Sequence, residues 1–298
     1  MMIKYILSIS LLLFSHFSFA NGRWYEVEVI LFEHPNNENV NEDFSLELSP
    51  IKTSKALDLL SPNLQMMGQN TCLNKRASSS LLNKALKTYQ SPSCAADVDY
   101  LSLMTTTPLK IDADEQEGME IPYLITPEQL EFQSTIQRLK REGMRPILHT
   151  GWRQPGLTEQ KAKSYRLYGG KNFSEQYDYF GNLKQVKSPF AHISDNTSGL
   201  NYFLGQIKSN KPTLTKLPNS SYDEYPDKTW QLDGLFKVFL RGRYLNIKAK
   251  FNLRQEDLTT DKLKNFHFEQ FRRVISNEIH YFDHPKIGIL VQIRRYMH

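Results

Sequence analysis

Residues Phe268–Tyr296 read FEQFRRVISNEIHYFDHPKIGILVQIRRY, and the fold turns on how this run divides. Paired Arg272 and Arg273 lead into a polar stretch holding Glu278, His280, Tyr281, Asp283 and His284, which Pro285 closes before an apolar segment, Ile287 to Ile293. In that segment Ile289, Val291 and Ile293 share one face and Leu290, Gln292 and Arg294 the other, the period of a strand with one well-buried side. The pattern predicts a charged, aromatic turn held between two strands, the last of them inside a sheet.

Upstream, Leu245, Ile247, Ala249, Phe251 and Leu253 alternate with polar residues, the clearest β signal in the chain. Leu235 to Leu240 precedes it, with Arg241-Gly242-Arg243 as the hairpin turn. Phe266 to Val274 and Ile287 to Tyr296 would complete the same sheet. At the other end, Tyr25, Val27, Val29 and Leu31 alternate through Trp24 to Phe32 until Pro35 and two asparagines stop the strand. Thr126-Pro127-Glu128-Gln129 carries an N-cap, a proline at the first helical position and a capping-box glutamine. Phe132, Ile136 and Leu139 then form one stripe, Gly143 ends the helix, and Met144 to Trp152 is the next strand.

The implied fold is α+β: a mostly antiparallel sheet with one principal helix, a split β-α-β start and a loop-rich insertion, all in one domain over 21–298. The insertion, 36–120, is polar; Asn36 to Asp43 and Asp112 to Glu120 read as exposed loops, and Lys75 to Tyr89 as a short helix in a loosely packed region. Gln154 to Lys228 is rich in tyrosine, glycine and asparagine, with short strands expected at Tyr165 to Tyr168 and Tyr202 to Leu204.

Residues 1–20 read as a secretory signal peptide: Lys4, an apolar run over Tyr5 to Phe19, and a Ser18-Phe19-Ala20 cleavage site before Asn21. The apolar run is short for a membrane span, which needs roughly 20 residues. No cysteine follows the site for lipidation. The expected product is exported, periplasmic and not membrane-spanning. In that oxidising compartment Cys72 and Cys94, the two cysteines of the chain, should form one structural disulfide; no C-x-x-C redox motif is present. Basic character is C-terminal: Arg241–His298 holds 12 Lys or Arg against 6 Asp or Glu. Such an excess suits an anionic surface such as wall-polymer carboxylates. Export and the lack of a concentrated basic run argue against nucleic acid.

Chemical motifs are sparse. His280 and His284 suggest a metal site, but in an extended segment their rings would stand about 13 Å apart, too far to share an ion. Glu26 and Glu28 share a strand face at about 7 Å, a spacing that paired glycosidase carboxylates have. Both also fit the wet face of an ordinary strand. Serine-hydrolase, phosphate-loop and zinc motifs are absent. Gly151-Trp152-Arg153-Gln154-Pro155-Gly156 ends its strand as a candidate binding edge; the alternative is a Trp152 that caps the core.

Three stretches together resemble the CsiV family of periplasmic peptidoglycan-binding proteins. They are Trp24 to Phe32, Gly151-Trp152-Arg153-Gln154-Pro155, and the run from Arg272-Arg273 through E-x-H-Y-x-D-H-P to Gly288-Ile289-Leu290-Val291. Ile275 and Lys286 depart from that pattern. The resemblance implies a non-enzymatic function with no catalytic residue to carry over, and no metal or cofactor is expected. It implies a protein that binds peptidoglycan and supports a class A penicillin-binding synthase dependent on an outer-membrane lipoprotein activator. The candidate ligand contacts are then Trp152, Arg153, Arg272, Arg273, Glu278, His280, Tyr281, Asp283 and His284. The alternatives are an internal network that fixes the last turn, a cell-wall hydrolase, and a pure protein–protein adaptor of the envelope.

Overall fold

The computed structural model describes residues 23–35, 48–83, 94–116, 118–184, 225–257 and 260–297, with backbone alone over 75–83. The expected signal peptide, the Asn36 to Asp43 run and the Tyr202 to Leu204 strand lie outside the described residues.

In chain order the elements are β1 (Trp24–Glu33), α1 (Leu60–Asn83), α2 (Tyr100–Leu103), β2 (Tyr123–Leu124) and a 3-10 turn (Pro127–Gln129). There follow α3 (Gln133–Arg141), β3 (Arg145–Pro155), β4 (Tyr165–Asn172), β5 (Trp230–Arg241), β6 (Tyr244–Glu256), β7 (Leu263–Val274), β8 (Ile279–Phe282) and β9 (Ile287–Tyr296). The α+β class and the antiparallel strands are as read from sequence, but the strands divide between two sheets. One has the order β2-β3-β1-β9-β8, the other β4-β5-β6-β7. After β7 the chain leaves the second sheet and enters the first, turning at Asn277, whose φ of +69° is a left-handed conformation that asparagine tolerates. β9 then pairs with β1 along its full length, Trp24 opposite Tyr296 and Glu33 opposite Ile287.

A continuous apolar core fills the space between the sheets, with Val27, Val29, Trp152, Val291 and Ile293 on one side and Phe236, Ile247, Phe251 and Phe268 on the other. The opposite face of the five-stranded sheet is also covered: Ile30 and Phe32 of β1 meet Phe132, Ile136 and Leu139 of α3. Burial on both faces explains why β1 runs apolar without alternation from Val29 to Phe32. The β-α-β start is present in sequence order, its strands β1 and β3 adjacent and antiparallel.

Two local readings need correction. The capping box at Thr126 and Gln129 exists but closes a single 3-10 turn; the chain re-enters extended geometry at Leu130 before α3 starts. Gly143, at φ +81°, does end α3, as expected. The insertion's helix begins at Leu60, well before Lys75, and its first turns dock on the main core, while the expected helical residues beyond Asn83 lie outside the described residues. Leu60 and Leu64 have no exposed surface and Met67 packs beside them, one stripe at i, i+4, i+7. Asp58 caps its start, accepting from the Leu60 and Ser61 N–H groups at 3.0 and 2.9 Å. The Cys72–Cys94 disulfide fastens it to the segment before α2. Residues 112–116 and 118–120 are mostly exposed loop, as read.

Candidate functional site

The carboxylates of β1 are not on a wet face. Glu28 is fully buried, and its Oε1 accepts from His149 Nε2 and from the Phe132 N–H, both at 2.8 Å. Its Oε2 accepts from Arg294 Nη2 at 2.9 Å and from the Glu131 N–H at 3.1 Å. Glu26 accepts from Arg153 Nε at 2.9 Å and from Arg294 Nη2 at 2.8 Å. Arg294 also pairs with Glu131 at 2.6 Å. Burial alone would raise the Glu28 carboxyl, but hydrogen bonds from His149 and the two N–H groups, with Arg294 beside it, outweigh that and hold it below the usual carboxylate range. Each acceptor position of Glu28 is thus occupied by β3, β9 or the chain entering α3. This arrangement fastens the helical layer to the sheet and leaves no room for a sugar between the two carboxylates.

The Gly151–Gly156 strand end is equally enclosed. Trp152 has no exposed surface; it lies 5.8 Å edge-on from Phe236 and 4.9 Å from Tyr165, and donates its Nε1–H to Gln154 Oε1 at 2.8 Å. It caps the core and offers nothing to a ligand. Arg153 is also buried, with its guanidinium 3.9 Å over the Tyr296 ring and bonded to Glu26 and Tyr123. Neither residue contributes a free contact surface.

The corner where β7 passes to β8 is different. Arg272 and Arg273 are both exposed. They project to opposite sides of β7, as neighbours on a strand must. Arg272 lies 4.8 Å over the Phe282 ring and donates to the Tyr281 carbonyl at 2.6 Å, so it clasps the edge of one sheet to the other while keeping an exposed head group. Arg273 lies 4.4 Å over the Tyr244 ring. Tyr281, 40% exposed, stacks on Phe32 at 6.2 Å and donates to Asp283 Oδ1 at 2.6 Å, with His34 Nε2 3.2 Å from its hydroxyl. Burial and the Asp283 bond both push the Tyr281 phenol up. His280 turns back to the Ile275 backbone, His284 accepts from the Lys286 N–H at 3.2 Å, and the two rings serve different turns. No group of three or more His, Cys, Asp or Glu side chains among the described residues is arranged to hold a metal ion. Glu278 is exposed and makes no ion pair among the described residues. The corner is therefore partly a fixed network, through His280, Asp283 and the Arg272 clasp, and partly exposed, with Tyr281 and the outer part of Arg272 on one side of β7 and Arg273 on the other.

Comparison with protein families decides what this chain is similar to. A family model described as peptidoglycan-binding protein, CsiV, matches residues 4–296, nearly the whole chain. The chain belongs to that family. No curated protein and no solved structure matches it. In this CsiV family member the run quoted first, with its E-x-H-Y-x-D-H-P motif, is the inter-sheet corner itself. Ile275 is 57% exposed at the turn, and Lys286 lies 5.5 Å from the Phe266 ring. None of the helices in the described residues is long and apolar enough to cross a membrane.

Sequence reasoning missed the Glu28 network, whose partners are more than a hundred residues away along the chain. It also missed Arg254, a fully buried arginine 5.0 Å over the Tyr179 ring that donates to the Trp230 and Tyr179 carbonyls. Both look like solvent-facing charges in an alternating strand. For Glu28 a usable signal was the unbroken apolar run Val29 to Phe32 that follows it, which marks a strand covered on both faces; Arg254, between Leu253 and Gln255 in a regularly alternating strand, carried none.

Proposed function

We propose that this chain is an exported, periplasmic peptidoglycan-binding protein that acts without chemistry of its own and engages the polymer at the β7–β8 corner. The match to a peptidoglycan-binding family over almost the full length carries this reading. The corner supports it: exposed guanidinium groups suit stem-peptide carboxylates, and an exposed Tyr281 ring suits a sugar or peptide face. The engagement of Glu26 and Glu28 by arginine, histidine and backbone partners favours binding over hydrolysis. On the same reading, residues 1–20 are removed on export. The bound protein then supports a class A penicillin-binding synthase that depends on an outer-membrane lipoprotein activator.

The test is co-sedimentation of the mature chain with purified sacculi, comparing Arg273→Ala and Tyr281→Ala with wild type. Among the described residues Arg273 is bonded to no carboxylate, so its loss should weaken pelleting by about threefold to tenfold while the thermal midpoint stays within about 1 °C. Unchanged pelleting of both variants would remove the corner from the binding surface.

A further inference from the structure

The outer face of the β4-β5-β6-β7 sheet carries a feature that the corner does not exhaust. β5, β6 and β7 pair in register, Lys237 opposite Lys248 and Lys248 opposite Phe271. This brings Lys237, Arg241, Arg243, Lys248, Lys250 and Arg273 onto one continuous surface. Two carboxylates answer these six cations: Glu159 bonds Arg241 at 2.7 Å and also Lys248, and Glu269 lies 3.4 Å from Lys250. Lys237 bonds a backbone carbonyl at 2.7 Å, while Arg243 and Arg273 lie on Tyr244. These three have no carboxylate within ion-pair distance among the described residues.

Aromatic rings are set between the cations. Phe271, 51% exposed, stacks on Phe239 at 6.3 Å, and Arg241 and Lys248 both lie within 6 Å of its ring. Tyr244, 41% exposed, sits between Arg243 and Arg273. Large exposed rings on a sheet face are a cost to a protein that uses them for nothing, and the cations that frame them are held in place by cation–π contact. Strand spacing of about 4.8 Å and a side-chain repeat of about 7 Å along each strand set the cations out as a lattice on the sheet. Such a lattice matches a polymer that bears carboxylates at short intervals and has flat, partly apolar sugar faces between them.

We propose that this sheet face is an extended docking surface for the carboxylate-bearing stem peptides of the wall polymer, with Phe271 and Tyr244 against its sugars. The proposal rests on the peptidoglycan-binding reading above and extends the contact from the Arg273 side of the corner across the whole outer face of the sheet. It makes binding electrostatic and multivalent, weakened by salt and by loss of ligand carboxylates.

The mature chain is tested on three probes: intact sacculi, sacculi whose carboxylates have been converted to amides, and vesicles of phosphatidylglycerol. The variants are R243Q/K248Q and F271A, all at exposed positions, with thermal midpoints measured alongside. The expected result is about tenfold weaker binding of R243Q/K248Q to intact sacculi, equivalent to about 1.4 kcal/mol. Wild type on amidated sacculi should lose at least as much, F271A should weaken binding to both sacculus preparations, and midpoints should not move. If wild type pellets with sacculi and both variants match it, the face is not the docking surface although the family reading stands. If wild type does not pellet with intact sacculi, the family reading fails and this proposal with it. Preference for phosphatidylglycerol vesicles over sacculi would assign the face to a lipid surface and overturn the proposal.

Discussion

Replacing Glu28 with alanine tests whether the buried carboxylate is a structural fastener. The side chain has no exposed surface and accepts four hydrogen bonds, from His149, Arg294 and the N–H groups of Glu131 and Phe132. Removing one partner of a buried charged network costs about 3–5 kcal/mol. Arg294 keeps Glu26 and Glu131 as partners, which moves the expected cost toward the lower end, about 3 kcal/mol. His149, fully buried itself, and two N–H groups at the entry to α3 are left without an acceptor. For a chain of this size each kcal/mol shifts the midpoint by about 2–4 °C, so Glu28→Ala should melt roughly 6–12 °C below wild type by circular dichroism. Glu28→Gln keeps the volume and one acceptor oxygen and should lose about half as much. Sacculus binding at a temperature where both variants are folded should be unchanged. A midpoint for Glu28→Ala within 2 °C of wild type would refute the fastener, and lost binding by a fully folded variant would give Glu28 a part in ligand binding.

Acid should expose the same group. Because the Glu28 carboxyl is held below its unfolded value, its stabilisation is complete above the unfolded carboxylate value of about 4.3 and disappears as pH falls through the folded one. Wild type should therefore lose midpoint steadily below about pH 4.5 in a thermal melt series, and Glu28→Gln should show a flatter slope. Gly288→Ala would place a Cβ 2.1 Å from the Phe32 ring, which is itself stacked on Tyr281. The ring is almost fully buried, so overpacking should cost about 2 kcal/mol or more and shift the Tyr281 ring resonances in an NMR spectrum. Opening the Cys72–Cys94 bridge by Cys72→Ser/Cys94→Ser frees a loop of sequence separation 22 and should lower unfolding free energy by about 3 kcal/mol in a denaturant titration.

The strands were legible because alternation records burial directly: β6 and β9 were placed to within a few residues by Leu245 to Leu253 and Ile287 to Ile293. Alternation does not record which partner covers the buried face. For that reason β7 and β9, close in sequence, were read into one sheet when Asn277 in fact turns the chain from one sheet to the other. The helix at Leu60 was hidden by Pro62 and by the polar residues around Gly68, although Leu60, Leu64 and Met67 keep helical spacing. Pro62 is harmless there because the first turn needs no N–H donor. Trp152 and Arg153 were grouped with the ligand contacts because an aromatic and a cation beside a proline look the same whether they face solvent or close a core. Whether Arg272 and Arg273 meet solvent or an internal network was open in the sequence; both are exposed, and the cations of β5 and β6 join Arg273 only once strand register is known.

This chain should hold the wall polymer without cutting it. Incubating the mature protein with purified sacculi, then analysing both the pellet for protein and the supernatant for muropeptides, measures this directly. The prediction is protein in the pellet, released by salt, with a supernatant free of soluble fragments. Protein left in solution, or muropeptides released above a no-protein control, would contradict it.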